Sequence, residues 1–348
     1  MDHPSPHRPA EFYRALPKVE LHRHLEGSLR LITLLEVARA HGLDLLGTDR
    51  LRPLVQVRAE DPYTSKNFLS KFETLRKFYR SPEVIGRITQ EAVADAAADN
   101  VRYLELRFTP VALSKAENFP LAEVIDWVIQ GARQAEAESG TITRLIASVN
   151  RHESPDLAAQ VVELAIQRKQ DGVVGLDLAG NEVDFPSSPF IEVFAEAQRG
   201  GLRTTVHAGE WGGAGNVAAA ITQLGAERIG HGVRVMEDAA VVALARERGT
   251  IFEVCVTSNY QTGVVPALNE HPLKEMREAG LEVTINTDDP SISQITLSDE
   301  YYLVCEHLGL SLADLRGHIL ASARAAFLPE AERKNLVCAL EKELPDTG

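Results

Sequence analysis

Cysteine is almost missing from this chain: three occur in 348 residues, Cys255, Cys305 and Cys338, and they lie far apart. That scarcity excludes a disulfide framework and any Cys-x-x-Cys metal site. Long apolar runs are missing as well. No stretch approaches the ~18 consecutive uncharged apolar residues of a transmembrane helix, and the opening MDHPSPHRPA lacks the apolar core of a signal peptide. Positive charge is in deficit, with 36 Lys and Arg against 50 Asp and Glu for a net charge of -14. Such a balance offers no electrostatic footprint for nucleic acid and no attraction to anionic membranes. No Walker loop is present, and GGAGN at 212–216 lacks the strand-turn-helix context of a dinucleotide fingerprint. The expectation is a soluble, cytoplasmic protein with neither a nucleic-acid nor a membrane partner.

What the chain does have is a repeating alternation. Short runs rich in Val, Ile and Leu occur at 18–24, 101–108, 144–151, 172–180, 202–210, 228–233, 249–255 and 281–289. Amphipathic segments such as PDLAAQVVELAIQRKQ separate them, several closed by a Gly that suits a helix C-cap. Near-continuous apolar strands alternating with helices read as a parallel sheet covered on both faces. Eight such units without a linker predict a closed (β/α)8 TIM barrel, a single domain over 1–348. The long stretch 25–100 predicts extra helices over the mouth or the base of the barrel, and the tail from Ser298 predicts closing helices.

Run after run ends in a reactive group: His22 and His24, Arg107, Asp177, His207 with Glu210, His231, and Asp288 with Asp289. In a barrel these C-terminal strand ends converge on one face, where catalysis takes place. His22 and His24 are two apart in a strand and point to the same side. Zinc takes His nitrogens and carboxylate oxygens, and a catalytic site keeps one position for water. His22, His24, His207 and Asp288 make such a set. His41, His271 and His318 have no partner of this kind and read as surface or satisfied core positions. Glu210, three residues beyond His207, can move a proton beside a metal-polarised water, though a Glu before Gly-rich sequence also suits a helix first turn. His231 is flanked by glycines that clear space around it. Asp289 stands beside Asp288, an arrangement that is costly unless a metal or a histidine neutralises the pair. The fourth run has no lysine to bridge two metals, so one ion is expected. The H-x-E and P-C-x-x-C pattern of base-flipping zinc deaminases is absent.

Taken in order, KVELHRHLEGS, YLELRFTP, GLDLAGNE, HAGE, RIGHGV, TSNYQTG and NTDDP resemble the adenosine deaminase family of amidohydrolase barrels over nearly the whole chain. The resemblance implies one Zn2+ per chain on His22, His24, His207 and Asp288. It makes Glu210 the proton donor to the purine N1, with His231 and Asp289 orienting and deprotonating the attacking water. The backbone of Gly180 would bond the purine ring. Glu26 takes the place where nucleoside-specific members commonly carry an Asp for the ribose hydroxyl, and Val256 stands where members generally have Pro. The reaction so implied is hydrolytic deamination of adenosine, and of 2′-deoxyadenosine, to inosine and ammonia. The alternatives are free adenine or a modified purine nucleoside as substrate, or a silent nucleoside binder. ELRFTP, in place of the EIFFDPQ of adenine-specific relatives, favours a nucleoside. Oligomeric state has no signature in the sequence.

Overall fold

A computed structural model describes residues 8–44 and 47–345. Among the described residues are eight strands: β1 (Lys18–His24), β2 (Val101–Phe108), β3 (Ile142–Asn150), β4 (Val173–Ala179), β5 (Arg203–Ala208), β6 (Arg228–His231), β7 (Ile251–Val254) and β8 (Glu282–Ile285). They pair in sequence order, all parallel, as the eight apolar runs predict. The strands are buried along almost their whole length, with apolar side chains towards the helices and an interior that holds paired charges such as Glu105, Arg107, Arg228 and Glu253. β8 returns to β1 without a full ladder. Closure runs instead through Asp288, whose N–H donates to the His22 carbonyl at 2.9 Å and whose carbonyl accepts the His24 N–H at 2.8 Å. Below it the Asn286 side chain accepts the Leu21 N–H at 2.8 Å, standing in for a strand.

Local chemistry sets the helices between the strands. Ser81 caps helix Pro82–Ala98 by accepting the Val84 N–H, and Ser154 caps Pro155–Gln167 by accepting that of Leu157; both place Pro in the first turn. Gly140 and Gly249, at φ of 76° and 62°, end helices Leu121–Ser139 and Ala239–Arg248 in the left-handed conformation that only glycine adopts cheaply.

The 25–100 stretch holds helices Leu31–Ala40, Thr48–Val55 and Ser65–Leu75 ahead of the regular helix Pro82–Ala98. Of the two positions open to it, the insertion takes the mouth: Phe68, Phe72 and Arg76 share one cavity with His24 and Asp288. The tail forms helices Leu297–Tyr302, Leu312–Ala325 and Glu330–Glu343, and Leu312–Ala325 packs on β8 and β1 beside the seam. The first seven residues, part of the stretch read for a leader, lie outside the described residues. No helix among the described residues is long and apolar enough to cross a membrane. At the opposite end of the barrel an open depression of about 700 Å³ lies among Arg144, Lys169, Arg203 and Glu332. Its arginines are already paired, Arg144 with Glu136 and Glu332 and Arg203 with Glu227. The reactive side chains gather at the other end.

Candidate active site

His22 and His24 from β1, His207 from β5 and Asp288 from the loop after β8 meet at the C-terminal end of the barrel. One ligand atom from each lies within 4.8 Å of the others. Asp288 reaches this point because the residue that closes the barrel is held at φ 65°, an uncommon left-handed conformation for a non-glycine residue. Its closing hydrogen bonds to β1 place its carboxylate above the two histidines.

The hydrogen bonds behind the imidazoles determine what they offer in front. His22 donates from Nδ1 to Glu253 Oε2 at 2.8 Å, which leaves Nε2 bare, 3.2 Å from Asp288 Oδ1 and with no hydrogen-bond partner. His207 donates from Nδ1 to Asp177 Oδ1 at 3.0 Å, and its bare Nε2 faces His24 Nε2 at 3.3 Å. The bare Nε2 atoms of His22 and His207 beside the Asp288 carboxylate concentrate lone pairs in a buried site, which is costly unless a cation lies among them. Three imidazoles and one carboxylate are therefore a donor set for a divalent metal, with capacity left for water.

Glu253 and Asp177 are tied together by Arg107. Its guanidinium lies 2.8 Å from Glu253 Oε2 and 3.4 Å from Asp177 Oδ2, all three side chains fully buried. Burial would raise the Glu253 carboxyl, but Arg107 and Arg228 outweigh it and hold it well below the usual carboxylate range. Burial likewise opposes ionisation of Asp177, and there His207 and Arg107 prevail. Both groups thus stay acceptors and keep both histidines presenting Nε2 to the site. Arg107 and Asp177 stood out in sequence at strand ends. Glu253 did not, although a charge inside the apolar run GTIFEVC was its signal.

The second group of predicted residues surrounds this cluster. His231 ends β6 at φ 59°, with Nε2 3.6 Å from Glu210 Oε2 and 3.8 Å from Asp288 Oδ2. Ser258 donates to Asp288 Oδ2 at 2.7 Å. Burial, reinforced by the charges of Asp288 and Glu182, pushes the Glu210 carboxyl well above its ordinary value. Burial and the neighbouring Asp288, Glu26 and Glu210 do the same to Asp289. Asp289 Oδ1 is buried without a partner, and it fits only because residue 27 is glycine: a Cβ there would lie 1.8 Å from it. Glu26 gives one oxygen to the Thr109 N–H at 2.6 Å and keeps the other unpaired.

The glycines beside His231 act differently from expectation. A Cβ on Gly230 would come 2.9 Å from the His22 ring and 3.2 Å from that of His207, so this position clears space for those two histidines rather than for His231. Gly232 is required by its φ of 68°. Glu182, in GLDLAGNE, carries a role that sequence reasoning missed. Its carboxylate accepts the N–H groups of Gly209, Glu210, Trp211 and Gly212 at 2.7–2.9 Å, and so fixes the turn that presents Glu210. These groups open into a cavity of about 280 Å³ walled by Phe68 and Phe72 from the insertion and floored by Gly180, Glu210, Asp288 and Asp289. A mostly apolar cleft with converging polar groups and shifted carboxyls is the form of a small-molecule site.

Barrel, donor set and cavity together define a metal-dependent hydrolase of the amidohydrolase type. The chain belongs to the adenosine deaminase family, whose sequence profile matches residues 17–343, and is a hydrolytic deaminase. It is 39% identical over 320 residues to the adenosine deaminase of Erwinia tasmaniensis, covering 91% of this chain and 96% of that one. A zinc-bound amidohydrolase from Burkholderia ambifaria superposes with a TM-score of 0.88 at 30% identity, covering 96% of this chain and 92% of its own. Arabidopsis ADAL in complex with IMP superposes with a TM-score of 0.86 at 28% identity, covering 97% of this chain and 100% of its own.

Proposed function

We propose that this chain, as one barrel domain in the cytoplasm, hydrolyses adenosine and 2′-deoxyadenosine to inosine or 2′-deoxyinosine and ammonia, using one zinc ion held by His22, His24, His207 and Asp288. The observation that carries the reading is geometric: Glu210, His231 and Asp289 stand around one four-residue donor set in one cavity. Zinc in that set supplies Lewis-acid chemistry that makes a water nucleophilic near neutral pH. A protonated Glu210 can give its proton to the purine N1, which activates C6 for attack. A cation on Asp288 would offset part of the charge that keeps Asp289 protonated, and the unpaired oxygen of Asp289 would then accept the proton of the attacking water. His231 faces the same point and stabilises charge that develops on the attacking oxygen. The purine lies along the backbone of Gly180 against Phe68 and Phe72, and its sugar points to the unpaired oxygen of Glu26. Three free cysteines, Cys255 among them buried as a thiol, fit a reducing compartment.

One observation favours a nucleotide as a further substrate: Arg76, on the cavity wall, has a buried Nε without a hydrogen-bond partner, a cation suited to a 5′-phosphate. The test is an ultraviolet assay over adenosine, 2′-deoxyadenosine, adenine and AMP. The expected order puts adenosine ahead of adenine in kcat/KM by roughly ten- to a hundredfold, the scale of one charged hydrogen bond. Glu26→Ala lowers the adenosine value and leaves the adenine value unchanged. A higher kcat/KM for adenine overturns the nucleoside assignment.

A further inference from the structure

Behind His231, on the side away from the cavity, a chain of hydrogen bonds has every direction determined. It begins at the main-chain N–H of Leu273, which donates to His271 Nδ1 at 3.1 Å. A backbone nitrogen can only donate, so Nδ1 of His271 is bare. His271 is buried, and burial lowers its pKa to about 3, so the ring is neutral and its proton is on Nε2. That nitrogen lies 3.2 Å from Asn259 Oδ1 and donates to it. The two ends of the Asn259 amide are thereby assigned: Oδ1 faces His271, and the NH2 group faces His231 Nδ1 at 3.1 Å. His231 Nδ1 therefore accepts, and its proton sits on Nε2, the nitrogen that faces Glu210 and Asp288.

We propose that Asn259 and His271 are positioning residues that fix His231 in its Nε2–H tautomer, so that it serves the deamination as a hydrogen-bond donor. The catalytic consequence rests on the deaminase reading above; the tautomer does not. The side chains that set the tautomer stand on separate elements. Asn259 is on the short helix Val256–Gln261 after β7, and His271 is just ahead of helix Leu273–Glu278. Neither lines the cavity, so neither contacts substrate. A donor held at Nε2 acts on charge as it develops on the attacking oxygen, whereas a bare Nε2 would face that charge with a lone pair. The imidazole orientation is then a property of the scaffold, set before substrate arrives.

The experiment is multiple-bond 15N–1H correlation on zinc-loaded protein carrying 15N-labelled histidine, with His231→Gln to assign its signals. The expected spectrum has His231 protonated at Nε2 and bare at Nδ1; the opposite pattern in the wild type overturns the proposal without any variant. His271→Leu removes the donor to Asn259 and lets the amide rotate. Its kcat is expected to fall about five- to tenfold, the scale of one hydrogen bond, with KM and zinc content unchanged and a mixed tautomer signal from His231. His271→Gln keeps an N–H donor and is expected to recover most of the loss. Unchanged kcat in His271→Leu, or equal loss in both variants, contradicts the proposal. No loss of adenosine absorbance with the zinc-loaded wild type would instead sink the deaminase reading, while the tautomer result would stand.

Discussion

Glu210 separates chemistry from metal holding most cleanly. It lies beyond β5, fixed by the Glu182 carboxylate at its N–H, and it is not part of the four-atom donor set. Under the proposed mechanism Glu210→Gln would remove the proton given to N1, while it preserves shape and leaves His22, His24, His207 and Asp288 untouched. The variant is expected to keep its zinc by elemental analysis and to lose at least about a thousandfold in kcat, in the range that general acid catalysis supplies. Near-normal turnover would return Glu210 to the role of a first-turn glutamate. The nine site residues named from sequence all lie at the cavity or the donor set. Residues whose value lies only in a partner were less legible. Asn259 sits in the quoted TSNYQTG, and His271, read as either a surface or a satisfied core histidine, is the latter, yet their connection to His231 depends on how two loops meet. Arg107 and Glu253, on β2 and β7, touch across the barrel interior, and no local spacing encodes that contact.

At the scale of elements, strand periodicity carried the fold because parallel barrel strands are buried on both faces and stand out as apolar runs. Their ends were less legible. β5 stops at Ala208 and β8 at Ile285, so Glu210, Asp288 and Asp289 lie on loops, where Gly209 at φ 68° and Asp288 at φ 65° turn the chain out of the sheet. The helix Val256–Gln261, which brings Ser258 to Asp288 and Asn259 behind His231, begins against a side chain from the tail: Glu300 accepts the N–H groups of Val256 and Thr257 at 2.9 and 3.1 Å. Burial raises the Glu300 pKa to about 7 from 4.5. Because the folded value lies above the unfolded one, the folded state retains a proton that the unfolded state loses as pH rises from about 4.5 to 7. The group's contribution to stability therefore declines through that window and is level above it. Glu300→Gln keeps an acceptor and cannot ionise. Between pH 5 and pH 8 the melting temperature of zinc-saturated protein should fall further in the wild type than in the variant, since a tenfold difference in proton affinity between the two states corresponds to about 1.4 kcal/mol. Parallel curves would show that the carboxyl does not titrate in this window.

The whole molecule is held at its seam by the same residues that form the donor set. His22 and His24 belong to β1, His207 to β5 across the barrel, and Asp288 carries the backbone bonds that join β8 to β1. A cation held by all four would link the seam to the far wall, and binding to the folded chain alone would stabilise it by about 4 kcal/mol at a thousandfold excess over Kd. The position of the insertion was the part of the architecture the sequence left open, because an amphipathic helix pattern shows which face is buried but not against what. It became visible only once Phe68 and Phe72 were seen to wall the cavity. The most direct measurement is a zinc titration of chelator-stripped protein, read by loss of adenosine absorbance and by melting temperature on the same samples. Deamination and thermal stability should rise together and break at one zinc per chain. Full activity in the stripped protein, or a break at two equivalents, would contradict the account.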